Sequence, residues 1–173
     1  QTNRFFVAEV GLTTAEDIHL GEKGANYGWP NCEGECSDPA YSDPIYTYPY
    51  EGGAAVTGGD FYRGSQFPSE YEGVYFYGDY VRGWIKYLTF DSDGNVTGSH
   101  DFVDDASNVV EIDQGPDGSL YYIDITGSIH RVSFQPAEEG SATVSLNEGN
   151  SNIDTSTWTS GAVEIENTGD KAI

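Results

Sequence analysis

Helical periodicity is almost absent from the pattern of apolar and polar residues along this chain, and short strand-like runs bounded by turn residues stand in its place. The pattern predicts strands over Phe5 to Val10, Ala55 to Tyr62, Gly73 to Tyr80 and Trp84 to Phe90. Further strands follow over Asn108 to Asp113, Ser119 to Asp124 and Ser128 to Phe134. Turn chemistry separates them at Asp93-Gly94, Pro116-Asp117-Gly118 and Thr126-Gly127. Short, even strand spacing from Ala55 to Phe134 is the rhythm of antiparallel blades or of a sandwich. Between Gly21 and Gly53 the pattern breaks into a long Gly-, Pro- and Tyr-rich excursion, and a loop of that length in a compact domain is usually functional.

The pattern changes again after Phe134. Residues 135–141, Gln-Pro-Ala-Glu-Glu-Gly-Ser, read as a linker. Residues 142–173 are rich in Ser, Thr and Asn and alternate again at Ala162-Val163-Glu164-Ile165-Glu166, as the opening of a second, sandwich-like β-domain. The chain begins at Gln1 and contains no Met, which points to a processed start or to missing first residues.

Charge narrows the partners. Twenty-nine acidic side chains face seven basic ones, for a net charge of −22. The acids are scattered, so nucleic acid and anionic membrane, which both need basic patches, are poor partners. Two readings stay open: a solvated surface suited to high salt, as in halophilic proteins, and broad cation binding. No apolar run reaches the roughly 18 residues of a membrane helix, so no membrane insertion is expected.

Local motifs carry less. Cys32 and Cys36, the only cysteines, suit a small disulfide loop in an oxidising compartment, or half of a zinc site. Asn95-Val96-Thr97 is a glycosylation sequon on a predicted turn, compatible with export. Asp91-Ser92-Asp93-Gly94-Asn95 resembles the start of a calcium loop, but Phe102 stands where its closing glutamate belongs, and Asp-Gly is a strong hairpin signal. His19, His100 and His130 are far apart without metal-ligand spacing, and read as surface or strand residues rather than catalysts.

One ordered series is more specific. It runs Ala8-Glu9-Val10-Gly11, Glu16-Asp17-Ile18 and Gly24-Ala25-Asn26-Tyr27-Gly28-Trp29-Pro30. It continues through Cys32-Glu33-Gly34, Asp43-Pro44-Ile45-Tyr46-Thr47-Tyr48-Pro49, Ala55-Val56-Thr57-Gly58-Gly59 and Tyr62-Arg63-Gly64. It closes at Tyr77-Gly78-Asp79-Tyr80, Arg82-Gly83 and Gly115-Pro116-Asp117-Gly118-Ser119-Leu120-Tyr121. Over roughly residues 4 to 134 this resembles the glucose/sorbosone dehydrogenase family, including its hedgehog-interacting-protein-like branch. The resemblance implies an all-β fold: about three blades, the C-terminal half of a six-bladed β-propeller, over residues 1–134.

The resemblance also implies a partial site. Family members hold pyrroloquinoline quinone (PQQ) on a calcium ion over the propeller axis. The ion is bound partly by two consecutive backbone carbonyls, here Gly11 and Leu12, with Glu16 or Asp17 in support. Arg63 and Arg82 match positions near the quinone carboxylates, and guanidinium forks pair well with carboxylates. Surface ion pairing is the alternative for both. The catalytic histidine and an Arg-Asn pair belong to the N-terminal half of the propeller, and nothing here corresponds to them.

The first function this supports is part of a secreted oxidoreductase, extracellular or periplasmic, that oxidises a sugar substrate with PQQ and calcium. The alternative is a non-enzymatic extracellular propeller used for binding or assembly. Open sheet edges are also templates for self-assembly into filaments.

Overall fold

The computed structural model describes residues 4–135 and 162–169. Within them the chain forms eleven strands and, as its one helical element, a 3-10 turn at Ser69–Tyr71. The first sheet joins β1 (Phe6–Glu9), β2 (Ala15–Leu20) and β3 (Tyr46–Pro49) in sequence order. The second joins β4 (Val56–Thr57), β5 (Tyr75–Asp79), β6 (Trp84–Phe90) and β7 (Val96–Val103). The third joins β8 (Val109–Gln114), β9 (Leu120–Asp124), β10 (Ile129–Gln135) and β11 (Ala162–Gly169). Every pairing is antiparallel.

The expected strands are present, with three additions. β2 and β3 fall where the sequence suggested loop, and β7 continues the hairpin after Asn95. The long excursion is therefore shorter than its composition suggested. It ends at β3, whose Tyr46–Pro49 segment pairs with Ala15–Ile18. The expected strand over Ala55 to Tyr62 is only Val56–Thr57 plus one bridge from Phe61 to Tyr75. The linker and the second β-domain expected over residues 135–141 and 142–173 lie mostly outside the described residues. Their described part, Ala162–Gly169, is the edge strand beside β10.

Packing explains why the aromatic run Tyr75-Phe76-Tyr77 of β5 does not alternate with polar residues. The second sheet is covered on both faces, so all five β5 residues are buried. Alternation then sorts them. Tyr75 and Tyr77 face the first sheet with Ile18, Tyr48, Val56 and Leu88, while Phe76 faces the third sheet with Ile85, Phe102, Val109 and Ile112. Each large side chain buried this way contributes about 1.5–3 kcal/mol. At Gly78 a Cβ would lie 3.0 Å from Val109 Cγ1 and 2.7 Å from Thr57 Oγ1, so the missing side chain lets the neighbouring sheet close in.

Candidate functional site

The candidate calcium loop joins β1 to β2, and its shape is imposed by backbone packing. A Cβ on Gly11 would lie 1.7 Å from the carbonyl oxygen of Ala15, so only glycine allows the chain to turn this tightly. Glu33 then organises the loop from outside. Its Oε2 accepts the amides of Thr13 at 3.1 Å, Thr14 at 2.8 Å and Ala15 at 3.3 Å. The Thr14 amide foremost holds the Glu33 carboxyl below the usual carboxylate range. Slight burial opposes this, and the amides of Thr13, Ala15 and Leu12 reinforce it.

That arrangement aims the carbonyls. The one cis peptide among the described residues is Trp29-Pro30, so the loop peptides are trans and each C=O points opposite to its N–H. The amides of Leu12 and Thr13 turn toward Glu33. The carbonyls of Gly11 and Leu12, which share those peptides, therefore face the other way. The chemistry suits a hard cation that prefers oxygen.

Glu33 is itself held by a covalent staple. Cys32 and Cys36 form a disulfide, with Cα atoms 6.1 Å apart, which removes the half-zinc-site reading. Inside this small ring the Gly34 amide donates to Asp17 Oδ2 at 2.7 Å, and the Cys36 amide donates to Asp43 Oδ1 at 2.8 Å. The ring thus reaches both the loop and β2.

Glu16 and Asp17 lie in strand β2 rather than in the loop, and both are buried. Glu16 Oε2 accepts the Val56 amide at 2.8 Å, a bond that ties the first sheet to the second. Burial raises the Glu16 carboxyl above its ordinary pKa, and the amides of Val56 and Gly11 only partly oppose it. Alternation sends Asp17 to the opposite face, where it meets Glu9 and His19 with ligand atoms within 4.8 Å of one another. Burial, then the charges of Asp17 and Glu33, raise the Glu9 carboxyl. Burial also lowers the His19 imidazole, which Asp17 and Asp43 only partly offset.

The two arginines, both expected beside the quinone, stand near opposite ends of β5. The bridge from Phe61 to Tyr75 and the pair Val56–Asp79 mark opposite ends of β5. Arg63 follows Phe61 and Arg82 follows Asp79, so four residue steps, about 13 Å of strand, separate their ends. Arg82 is on the same side as the candidate loop. Its Nη2 donates to the carbonyls of Pro49 at 2.7 Å and Tyr50 at 3.0 Å, and its Nε donates to Gly53 at 3.2 Å. The Tyr50 amide in turn donates to the Thr14 carbonyl at 3.0 Å, which links Arg82 to the loop in two steps. Arg63 is exposed, pairs with Asp60 at 3.4 Å, and lines an open cleft of about 970 Å³ with Arg4, Phe61, Phe90 and Asn95.

The motif Tyr77-Gly78-Asp79 has a structural task. Asp79 is buried and accepts the Tyr48 hydroxyl at 2.7 Å together with the amides of Arg82 at 2.8 Å, Val81 at 2.9 Å and Ala55 at 3.2 Å. Burial first, and the Asp79 carboxylate second, push the Tyr48 phenol well above its ordinary pKa. Asp91 likewise spends its oxygens on the amides of Asp93 and Asn95 and on the Asn95 side chain, which is a hairpin and not a cation loop. Asn95 of the sequon is exposed on that hairpin.

Glu33 escaped the sequence reading as a site residue, although it lies inside the Cys32–Cys36 ring. Glu9 and His19 escaped it because the register Glu9↔Asp17 is a tertiary fact. The spacing Asp17-x-His19 on a strand was the one available signal.

Comparison with known proteins fits this architecture. The family model described as Glucose / Sorbosone dehydrogenase matches residues 1–131. The HIPL2 protein of Arabidopsis thaliana is 32% identical over 116 residues, covering 55% of this chain and 16% of its own length. An uncharacterised protein of Synechocystis sp. is 29% identical over 132 residues, covering 70% of this chain and 32% of its own. The chain thus spans less than a third of these relatives. A glucose dehydrogenase-type oxidoreductase of Thermus thermophilus superposes with TM-score 0.59 at 23% identity, over 73% of this chain and 37% of that one. The PQQ-bound aldose sugar dehydrogenase of Streptomyces coelicolor superposes with TM-score 0.54 at 15% identity, over 94% of this chain and 40% of that one. Motif series, blade-like sheets and family match agree: this chain belongs to the glucose/sorbosone dehydrogenase family and folds as part of an all-β propeller.

Proposed function

We propose that the chain supplies the calcium-holding side of a secreted, PQQ-dependent sugar dehydrogenase. The carrying observation is the loop capped by Glu33, whose Gly11 and Leu12 carbonyls face away from the cap and would hold the ion. When bound, PQQ would supply the two-electron acceptor for hydride from the carbon that bears the sugar hydroxyl, whose proton goes to the catalytic base. Arg82 stands on the same side of the sheets, where its guanidinium steadies the 49–53 segment and offers positive charge to a quinone carboxylate. Arg63, at the other end of β5, is a surface cation in this reading. Calcium needs six to eight oxygens, so two carbonyls are completed by the N-terminal half of the propeller, quinone and water. The catalytic base also comes from that half. A disulfide supports an oxidising compartment, extracellular or periplasmic. No helix among the described residues is long and apolar enough to cross a membrane.

A second reading, a non-enzymatic extracellular binding propeller, is favoured by the three backbone carbonyls that already engage Arg82. Calorimetry on the full-length protein separates the two. The enzyme reading expects calcium to bind more tightly with PQQ present, Arg82→Ala to weaken PQQ binding, and Arg63→Ala to leave it intact. Calcium affinity unchanged by PQQ, or PQQ binding untouched by Arg82→Ala, selects the binding propeller.

A further inference from the structure

A cluster that neither reading uses lies on the first sheet. Glu9 stands directly opposite Asp17 in the antiparallel register, and Asp17 and His19 are two residues apart on β2, so the strand period puts all three on one face. One oxygen from each carboxylate and one ring nitrogen lie within 4.8 Å of each other. His19 is 1% exposed and Asp17 2% exposed. Asp17 Oδ1 has no hydrogen-bond partner, and neither ring nitrogen of His19 makes a well-formed hydrogen bond, although the Asp43 backbone lies close enough to favour the charged ring. Two carboxylates side by side repel, and a buried imidazole and a buried carboxylate oxygen without well-formed hydrogen bonds are costly unless something between the groups satisfies them. A cation there removes both costs.

We propose that Glu9, Asp17 and His19 form a binding site for a divalent transition-metal cation of the zinc class, distinct from the calcium position at Gly11 and Leu12. The donor set decides the class. Calcium takes oxygen ligands, whereas an imidazole nitrogen with two carboxylates suits zinc and its first-row neighbours. Tetrahedral ligands at about 2.1 Å from zinc sit roughly 3.4 Å apart, so modest side-chain rotation closes the cluster on an ion. Support is already in place: the Gly34 amide orients Asp17 through its other oxygen, and the Tyr27 ring packs 4.4 Å from the His19 ring. Three protein ligands leave a position for water. This site stands whether or not the quinone reading holds.

The test uses the full-length protein, stripped with chelator and then titrated with zinc by calorimetry and with cobalt(II) by visible absorption. Calcium is supplied throughout in excess. The expected result is uptake of an ion that calcium does not displace, a cobalt spectrum that shows nitrogen ligation, and loss of at least about tenfold in zinc affinity for both His19→Gln and Glu9→Gln. His100→Gln, on exposed β7, should change nothing. If His19→Gln fails to fold, Glu9→Gln and X-ray absorption of the zinc-loaded wild type, which should show an imidazole, decide the question. No zinc uptake, displacement by calcium, no imidazole in the absorption spectrum, or affinity insensitive to Glu9→Gln each overturns the proposal.

Discussion

The Glu33 carboxylate accepts the Thr14 amide at 2.8 Å from 19 residues further along the chain. This bond couples the disulfide ring to the loop whose carbonyls were expected to hold calcium. Without it, nothing else among the described hydrogen bonds gathers the amides of Thr13, Thr14 and Ala15 on one side. Glu33 is therefore a positioning residue for Gly11 and Leu12.

Glu33→Ala should weaken calcium binding of the full-length protein severalfold, and Glu33→Gln, which keeps an acceptor oxygen but loses the charge, should fall between. Reduction of Cys32–Cys36 should act in the same direction, and it should lower stability by about 2 kcal/mol for so short a ring. Calcium calorimetry and thermal melts, with and without reductant, read both effects. Equal calcium affinity in Glu33→Ala and wild type would separate the cap from the cation site.

Asp79 gathers four donors at the junction of the first and second sheets. Asp79→Ala leaves them unsatisfied, and each such buried group costs about 1–3 kcal/mol, so a total loss of at least about 3 kcal/mol is expected. Tyr48→Phe removes a single donor and should cost about 1 kcal/mol. Denaturant midpoints compare the two. A loss for Asp79→Ala no larger than for Tyr48→Phe contradicts this role.

Asp124 sets a pH dependence. Burial raises its carboxyl, but the Thr126 hydroxyl, the His130 ring and the amides of Ser128 and Thr126 together outweigh burial and hold the pKa below the ordinary value. His130 Nε2 lies 2.9 Å from Oδ2. A folded pKa below the unfolded value of about 3.9 gives stability that is present above that pH and lost as acid approaches the folded value. Melting temperature should fall from about pH 4 downward, and Asp124→Asn should flatten that slope. An unchanged slope in the variant refutes the assignment.

Salt should stabilise the fold. Twenty-nine acids against seven basic residues leave uncompensated repulsion, because even complete ion pairing, as in Lys86–Asp101 and Arg131–Asp117, can neutralise only a minority of the acids. Screening shrinks its reach from about 30 Å at 0.01 M to about 3 Å at 1 M. Melting scans in low and molar sodium chloride check this, and a midpoint that falls or stays fixed contradicts it.

Much of the fold was legible in local pattern. β6 was read at its observed bounds, and β5, β8, β9 and β10 within a residue or two, because alternation and Asp-Gly or Thr-Gly turns act over a few neighbours. β2 and β3 were not. Ala15–Leu20 is buried from Ala15 to His19 and mixes Glu, Asp and His with apolar residues, so its strand character comes from the partners on either side rather than from its own period.

The sequence by itself determined the class of fold and the family, and it set Cys32 and Cys36 close enough along the chain to bridge. Those follow from backbone sterics and covalent chemistry, which act locally. Tertiary structure decided which charges meet. It put Arg63 and Arg82 at opposite ends of β5, turned Glu16 and Asp17 to opposite faces of β2, brought Glu33 onto the Gly11–Ala15 loop, and set Glu9 against Asp17 and His19. Strand register and the packing of one sheet on the next fix those distances, and neither is written in the spacing of residues along the chain.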